Sequence, residues 1–372
     1  MPDFDPLEPP ESNPPDWAVT YEASRFAPWS LTVDIVGFAH EPTTQDLHVV
    51  IVERGQPGPF QGYEAWPGGF VNWQHDVDAR AAALRELEEE TGQIHPEYLQ
   101  ELRTYDQFGR DPRQFSGYRK KANGEWIRTG TRVVSKAFLA LLRKPGRHLQ
   151  PVLGGDAADS RWASAYVYLP WEDVRSKASR ATLQRLERDL LAWAEAGIGT
   201  QRAERRDRVE RFFSMRTWNE EEARQRWDLV LEAKLVEEAW RDRWGRPRSD
   251  APRMLYGEAL AFDHRTMLAD ALATLRTEIK RQPEMPHSFI GSEFRLSELQ
   301  VLFESVAGRP LYRSNFRRAI ALSPTSSLVQ PTGRKEKLSG PGKPADLYDF
   351  TPELLRTRCT PGLNLPWLPL EP

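Results

Sequence analysis

Short runs of apolar and β-branched residues, separated by polar stretches, dominate the first half of the chain and predict a sheet. Four of these runs predict strands: Ser30–Ala39, Asp46–Arg54, Thr131–Leu142 and, more weakly, Arg161–Pro170. Val77 to Gly92 carries apolar residues at helical spacing and ends on a glycine, which commonly terminates a helix. Strands with an intervening helix indicate an α/β domain over residues 28–172.

The pattern becomes helical after residue 172. Residues 173–256 are rich in charge and carry apolar residues at helical spacing, so they predict a helical insertion. The two clearest amphipathic helices cover residues 181–197 and 221–244. Leu260–Lys280 has the same periodicity and predicts one more helix, inside a linking segment of residues 257–285.

A compact module is predicted at residues 286–351. Residues 295–308 and 309–323 each predict a helix, with Ser297 as the first N-cap and a Gly/Pro turn between them. Two short strands around a basic Gly/Pro loop follow. A helix-turn-helix places its second helix in the major groove of DNA, and a basic hairpin beside it can lie along phosphates.

Positive charge is concentrated in this module, although the whole chain has a formal net charge of −3. The candidate DNA-contacting residues are Arg313, Ser314, Asn315, Arg317, Arg318, Arg334, Lys335, Lys337 and Lys343, with Arg309 just before the second helix. Asn and Arg are the side chains that read adenine and guanine edges. The alternative is a module for protein contacts, or a solvated basic face.

The remaining composition narrows the class of protein. A single cysteine, Cys359, excludes an intrachain disulfide and fits a reducing cytoplasm. Residues 1–27 are acidic and Pro-rich without an apolar signal sequence, and we predict a disordered leader. Residues 352–372 predict a Pro-rich extended tail. The absence of an 18-residue apolar run predicts no membrane span.

Candidate chemistry lies in "RELEEETG", residues 85–92. Glu86, Glu89 and Glu90 share one face of the predicted helix, where their like charges cost stability unless a cation neutralises them. Carboxylate oxygens suit Mg²⁺ or Mn²⁺, which can activate water and polarise a phosphoryl oxygen. Arg85 can hydrogen-bond the glutamates. The alternative is a solvated acidic helix face.

With "PGG" upstream, this stretch resembles the Nudix box, and the resemblance covers about residues 28–170. The matching positions are Arg85, Glu86, Leu87, Glu89, Glu90 and Gly92. The resemblance implies a Nudix-type α/β/α sandwich, with Arg85 and the three glutamates as catalytic residues and the glutamates as metal ligands. Gly68 and Gly69 allow the preceding loop to come close to the helix and its ligand.

The sequence departs from the box in the loop before the helix. Val77 stands where the box has glutamate, Gln93 stands at an apolar position, and two extra residues separate Gly69 from Arg85. Two residues inserted inside a helix would rotate everything upstream by roughly 200°. Among His75, Asp76 and Asp78, we prefer Asp76 as the substitute acid. We therefore expect an intact metal-binding face and an altered supporting loop.

The C-terminal module resembles the winged helix of the Nudix-related transcriptional regulators, in "LSELQ", "GRPLYRSNFRRAI", "PTG" and "GKPADLYDF". "TVDIV", "GRDPR" and "RVVS" add to the resemblance in the first half, and the linking helix lies between the two parts as in the family. Arg110, Arg113 and Arg132 are candidates for binding a diphosphate, since guanidinium groups match phosphate oxygens. A plain surface role is the alternative for these arginines. Residues 114–131 and 173–256 have no counterpart in the family pattern. We expect His264, in the linking helix, and Trp66 to be packing residues.

The sequence thus predicts a multidomain α+β chain with a Nudix-like domain, a helical insertion and a winged helix. The resemblance implies a DNA-binding regulator that senses ADP-ribose or a related nucleotide diphosphate and controls NAD metabolism. Two-fold symmetry of protein and operator predicts a homodimer on a palindromic site. The alternative is a Mg²⁺-dependent hydrolase of ADP-ribose or nucleoside diphosphates with an accessory winged helix, and both activities together are a third possibility.

Overall fold

The computed structural model describes residues 29–55, 57–92, 94–128, 130–143, 157–216, 218–321, 328–336, 344–352, 365 and 367. The predicted leader, Gln93, Lys337, Lys343 and nearly all of the Pro-rich tail lie outside the described residues. Within the described ranges, no helix is long and apolar enough to cross a bilayer.

A mixed sheet of seven strands lies at the centre of the described first half, and a small separate hairpin accompanies it. The strands are β1 (Trp29–Glu41), β2 (Asp46–Arg54), β3 (Glu64–Ala65), β4 (Gly68–Phe70), β5 (Tyr98–Tyr105), the hairpin strands β6 (Tyr118–Lys120) and β7 (Trp126–Arg128), β8 (Arg132–Leu141) and β9 (Ala157–Ser164). Strand β1 pairs in parallel with β8 and antiparallel with β2 and β4. Its residues 32–40 are buried, because helices cover both faces of the sheet.

Nine α-helices occur in the described ranges. They are α1 (Ala79–Thr91), α2 (Ala165–Tyr168), α3 (Lys177–Glu195), α4 (Thr200–Phe213), α5 (Ala223–Glu232), α6 (His264–Glu278), α7 (Glu284–Ile290), α8 (Leu296–Ala307) and α9 (Arg313–Ala321). The strands predicted at Ser30–Ala39, Asp46–Arg54 and Thr131–Leu142 are confirmed. The one at Arg161–Pro170 is wrong after Ser164, where α2 begins. Ala165, Tyr166 and Tyr168 of this helix are all buried, because the helical turn packs on the core.

Helix α1 begins two residues later than predicted. The Asp78 side chain caps it by accepting from the amide of Ala81, and Gly92 ends it with a left-handed φ of 74°. The two residues that this chain has in addition to the Nudix box therefore lie in the loop of residues 71–78, outside the helix. Hence they do not rotate the chain upstream in the way that an insertion inside the helix would.

The helical insertion contains α3, α4 and α5, but the helix predicted over residues 221–244 is wrong in its second half. Helix α5 ends at Glu232, and Lys234 has a left-handed φ of 58°. The chain turns there and buries Val236 in the core. A short 3-10 helix (Glu237–Trp240) follows, and a turn over residues 241–248 completes the segment.

The C-terminal module has the predicted order of helix, turn, helix and hairpin. Helices α8 and α9 precede the antiparallel strands β10 (Val329–Glu336) and β11 (Ala345–Phe350). The cap of α8 is Arg295 and not Ser297, because the Glu298 carboxylate accepts from the Arg295 amide at 2.8 Å. Phe316 and Ile320 of α9 are buried against the module's own core.

The sheet, the insertion and the C-terminal module share one core. Glu172 at the end of the sheet domain is fully buried between Arg226 of α5 and Arg276 of α6. Arg226 donates to both Glu172 oxygens, at 2.7 and 2.8 Å, and Arg276 also donates to the Val306 carbonyl of α8 at 2.9 Å. Burial alone raises the pKa of Glu172, but the two guanidinium groups outweigh it and lower the pKa. One carboxylate therefore connects all three parts.

His40 at the end of β1 lies where the sheet meets the C-terminal module. Its Nδ1 is 3.1 Å from the Ser305 hydroxyl of α8, and burial lowers the pKa of the imidazole to about 4. The unfolded chain therefore takes up this proton near pH 6.5 and the folded chain only near pH 4.

We expect the free energy of unfolding to fall as pH decreases through this window, by on the order of 3 kcal/mol from His40 alone. Urea unfolding of wild type and His40→Gln between pH 7 and pH 4 measures it. The variant should lose this part of the pH dependence, and identical pH profiles for the two proteins would contradict the prediction.

Candidate functional site

A cavity of about 260 Å³ opens between β4, α1 and the start of α6. Seven predicted site residues line it: Gly68, Gly69, Glu86, Glu89, Glu90, Arg110 and Arg113. The structure adds Thr32, Asp34, Arg54, Asp111 and Phe262, together with His264, Trp66 and Phe70. The cavity thus combines acidic and basic side chains with an aromatic wall.

Gly68 and Gly69 of "PGG" must be glycines, because their backbone lies very close to strand β1 and to Glu86. A Cβ on Gly69 would lie 2.3 Å from a Glu86 carboxylate oxygen, and one on Gly68 would lie 2.2 Å from the Val33 carbonyl. Gly68 also donates its amide to Glu90 Oε2 at 2.8 Å. Any larger residue would displace the glutamates or the β1–β4 pairing.

Arg85 is held by Asp76, which occupies the loop where the box glutamate is missing. Two parallel hydrogen bonds of 3.0 and 2.9 Å join the Arg85 guanidinium to the Asp76 carboxylate. Arg85 donates further bonds to Glu86 at 2.8 Å and Glu89 at 3.2 Å, as expected from the sequence. The hydrogen bond from Arg85 lowers the pKa of Asp76. Val77 beside it is exposed and has no part in the cavity.

The glutamate oxygens are of the class that Mg²⁺ and Mn²⁺ prefer, but two of them already have hydrogen-bond partners within the protein. Glu86 Oε1 is bound to Arg85, and Glu90 Oε2 to the Gly68 amide. Among the described residues, no three His, Cys, Asp or Glu side chains are grouped so that they could hold a metal. Burial raises the pKa of Glu86, which disfavours its charged form. The metal site at Glu86, Glu89 and Glu90 stays a prediction.

The start of α6 forms one wall of the cavity through a chain of charged contacts. Arg110 makes a bidentate pair with Asp263 at 2.7 and 2.9 Å. His264 Nδ1 accepts from the Trp66 amide at 3.0 Å, so the opposite nitrogen carries the proton and faces Asp34 Oδ1 at 3.3 Å. His264 and Trp66 are buried packing residues, as expected, and they also line the cavity.

Asp34 remains charged despite its burial. Burial alone raises the pKa of its carboxyl, but His264, Arg110 and the Ser135 hydroxyl outweigh it and hold the pKa at about 2. The cavity therefore contains a negative charge on Asp34 in addition to its glutamates.

Arg54 and Arg113 approach the same aromatic ring from the cavity side. Their guanidinium carbons lie 5.0 and 5.5 Å from the centroid of Phe262. Arg113 is paired with Asp111 at 2.6 Å. Arg54 donates to the Pro59 carbonyl, and among the described residues no carboxylate oxygen lies within ion-pair distance of it. Burial and the neighbouring Arg113 lower the pKa of Arg54, so an anion would relieve unfavourable charge.

Arg132, the third predicted phosphate ligand, does not line this cavity. Its guanidinium donates to the Asp106 carbonyl and stacks on Trp29 at 4.5 Å. Residue 132 begins β8, whereas the contact with Asp34 is made three residues later by Ser135. Three residues of strand separate the two positions by roughly 10 Å.

A second candidate surface is the exposed face of α9. Arg313, Ser314, Asn315, Arg317 and Arg318 are all exposed, while Phe316 and Ile320 anchor the helix from behind. Arg313 and Arg317 also line a groove between α9, α8 and the β10–β11 hairpin. This is the face that a recognition helix must present to a DNA groove.

The hairpin contributes fewer free cations than the sequence suggests. Lys335 is exposed and paired with Asp346 at 3.2 Å, and Arg334 is exposed and paired with Glu293. Lys337 and Lys343 lie outside the described residues. Arg309, which the sequence groups with this basic cluster, is buried beside Glu220 of the insertion at 3.4 Å.

Sequence reasoning missed Asp34, Arg54 and Phe262. A signal existed for Asp34, because it is the only charged residue in the apolar run Ser30–Ala39. Arg54 and Phe262 gave none, since an arginine ending a strand and a phenylalanine before a helix are common. Only the fold brings them together.

Comparison with known protein families finds two matches. The NUDIX domain family matches residues 31–194, and the family described as "NrtR DNA-binding winged helix domain" matches residues 286–350. A curated relative, the "ADPR responsive transcriptional repressor NtrR" of Acinetobacter baylyi, is 33% identical over 96 residues. That match covers 26% of this chain and 37% of the relative.

Several solved structures are similar over much of their length. Shewanella oneidensis NrtR complexed with a 27mer DNA is 21% identical with a TM-score of 0.47, covering 90% of this chain and 98% of that one. A MutT/nudix family protein from Enterococcus faecalis is 19% identical with a TM-score of 0.48, and the match covers 90% of this chain and 91% of that protein. The Shewanella oneidensis NrtR NUDIX domain complexed with ADP ribose is 26% identical with a TM-score of 0.29. That match covers 40% of this chain and 80% of the NUDIX-domain structure. The fold, a NUDIX domain with a C-terminal winged helix, rests on the two family matches.

Proposed function

We propose that this chain, which belongs to the Nudix-related transcriptional regulators, binds operator DNA through its winged helix and releases it when a nucleotide diphosphate occupies the NUDIX-domain cavity. The proposed ligand is ADP-ribose or a related NAD-derived molecule, and the proposed targets are genes of NAD metabolism. The relative from Acinetobacter is named as an ADP-ribose-responsive repressor, which supports the ligand class and repression.

One observation carries this proposal. The start of α6 belongs to the cavity wall: Phe262 and His264 line the cavity, and Asp263 binds the cavity residue Arg110. Helix α6 begins at His264, with Asp263 as its N-cap. Helix α6 continues to Arg276, which donates to the Val306 carbonyl of α8 in the winged helix. A ligand that changes the cavity wall therefore acts on the element that contacts the DNA-binding module.

The mechanism we propose is linkage between two sites. If the ligand binds the DNA-free protein more tightly, it must weaken DNA binding by the same factor. Arg54 is the cavity cation best placed for a ligand phosphate, with Arg110 and Arg113 beside it. A homodimer on a palindromic operator is part of the proposal, because two-fold symmetry relates half-sites and subunits.

A binding experiment tests the proposal directly. Purified protein is titrated onto a fluorescent promoter fragment from its own gene neighbourhood at several salt concentrations, with and without ADP-ribose and Mg²⁺. We expect specific, salt-sensitive binding that ADP-ribose weakens. Equal ligand affinity for free and DNA-bound protein would remove the linkage mechanism, and absence of specific DNA binding would remove the regulator.

A hydrolase is the second candidate, because Glu86, Glu89 and Glu90 all line the cavity. Assay of the same samples for AMP decides between the two. Brisk AMP release that is lost in Glu86→Gln, with DNA binding retained, would establish a separable hydrolase activity. Little AMP with intact ligand response supports a sensor in which NUDIX-domain metal chemistry is not used.

A further inference from the structure

The described part of the helical insertion contains no residue that lines the ligand cavity, but Arg241 near its end contacts Phe262, which does. The turn over residues 241–248 lies against the loop after β2 and against the segment before α6. Gly245 of this turn packs on the Phe60 ring, and Trp244 contacts Phe115 edge-on with ring centroids 6.5 Å apart. Phe115 belongs to the other segment without a family counterpart, so both additions meet beside the cavity.

Arg241 makes the central contact of this turn. Its side chain is only 6% exposed, and it pairs with Glu237 through two hydrogen bonds of 3.1 and 2.9 Å. Its third donor reaches the Phe262 carbonyl at 3.2 Å, and its guanidinium stacks near the rings of Phe60 and Tyr63, at 5.0 and 5.1 Å. Tyr63 donates to the same Glu237 oxygen at 3.0 Å.

Phe262 needs such support because of its backbone. Its φ is 49°, in the left-handed region that bulky residues disfavour. Phe60 lies 4.7 Å from its ring on the insertion side, whereas Arg54 and Arg113 approach the ring from the cavity. The ring therefore contacts two cavity cations, one of which, Arg113, also stacks on Phe70 at 4.7 Å.

We propose that Arg241 is a positioning residue for the ligand cavity. By holding the Phe262 carbonyl and the Phe60 ring, it fixes the aromatic surface against which Arg54 and Arg113 are aligned for the phosphates of a nucleotide diphosphate. The ligand class rests on the proposed function, but the alignment is a property of the residues themselves. The insertion thereby sets ligand affinity without touching the ligand.

The test compares Arg241→Met with Arg246→Met, a control in the same turn. Arg246 pairs with Asp242 in the same i, i+4 geometry but is 73% exposed and has no contact with Phe262. Calorimetric titration with ADP-ribose, and separately with inorganic pyrophosphate, should show about tenfold weaker binding for Arg241→Met. Arg246→Met should stay within about twofold of wild type.

Two further variants separate positioning from folding. Arg241→Lys keeps the charge but loses the planar fork, so we expect intermediate ligand affinity, with a melting temperature closer to wild type than that of Arg241→Met and wild-type DNA affinity in the absence of ligand. Phe262→Leu removes the ring while Arg241 stays in place, and it should weaken pyrophosphate binding as Arg241→Met does. Wild-type ligand affinity in both Arg241→Met and Phe262→Leu overturns the inference.

A measurement without ligand distinguishes this inference from the proposed function. Amide hydrogen exchange at residues 261–264 should be faster in Arg241→Met than in wild type and Arg246→Met. If wild type binds neither ligand, the proposed function fails, while faster exchange still supports the positioning by Arg241. Unchanged exchange at these amides overturns the positioning whatever the ligand does.

Discussion

Glu172→Gln is expected to lower the free energy of unfolding by about 3–5 kcal/mol, because it leaves two fully buried guanidinium groups without a counter-charge. Arg226 and Arg276 have no exposed surface, and Glu172 accepts hydrogen bonds from both. Neither arginine can reach water without opening the contact between the insertion, α6 and the sheet domain.

Denaturant unfolding followed by Trp fluorescence measures this destabilisation. Glu195→Gln is a matched control, since Glu195 forms its ion pairs with Arg202 and Arg206 on the surface, where all three side chains are about half exposed. The control should shift stability by under about 1 kcal/mol. A Glu172→Gln protein as stable as this control would show that the buried cluster contributes little.

Replacing Arg313 and Arg317 together by Ala is expected to weaken binding to the specific promoter fragment by about 100-fold. The affinity should also depend less steeply on salt concentration, because the variant neutralises fewer DNA phosphates. Both side chains are exposed on α9 and line the groove beside the β10–β11 hairpin. Their removal should not disturb folding, because Phe316 and Ile320 make the buried contacts of this helix. Fluorescence titration of the promoter fragment at several salt concentrations measures both effects.

The double variant Arg202→Ala/Arg206→Ala is the control for net charge. It removes the same two positive charges from exposed positions on α4, away from the winged helix. Its DNA affinity should stay close to that of wild type. Equal weakening in both double variants would mean that DNA responds to overall charge and that α9 has no special role.

Local sequence patterns determined which residues share one face of a helix, because that depends only on neighbours in the chain. The spacing of Glu86, Glu89 and Glu90 placed them on one helix face, and they line one cavity. The alternation of buried and basic residues from Arg313 to Ile320 placed the candidate DNA contacts outward. Strand and helix periods of two and 3.6 residues carry this information directly.

Other elements could not be derived in this way. The helix predicted across residues 221–244 stops at Glu232, because burying Val236 in a shared core outweighs helical periodicity. Arg309 has the charge of a DNA-binding residue, yet Glu220 of the insertion buries it. In both cases a partner distant in sequence decided the outcome.

The sequence by itself determined the acidic helix face and the basic second helix, since each is encoded within about 30 residues, and these motifs indicated the two domain types. Only the tertiary structure decided that Asp76 holds Arg85 and that Arg54 faces the cavity. It also decided that Arg241 holds the wall beside Phe262. Arg54 and Phe262 belong to different parts of the chain, and packing of the whole chain alone brings such residues within a few ångströms of each other.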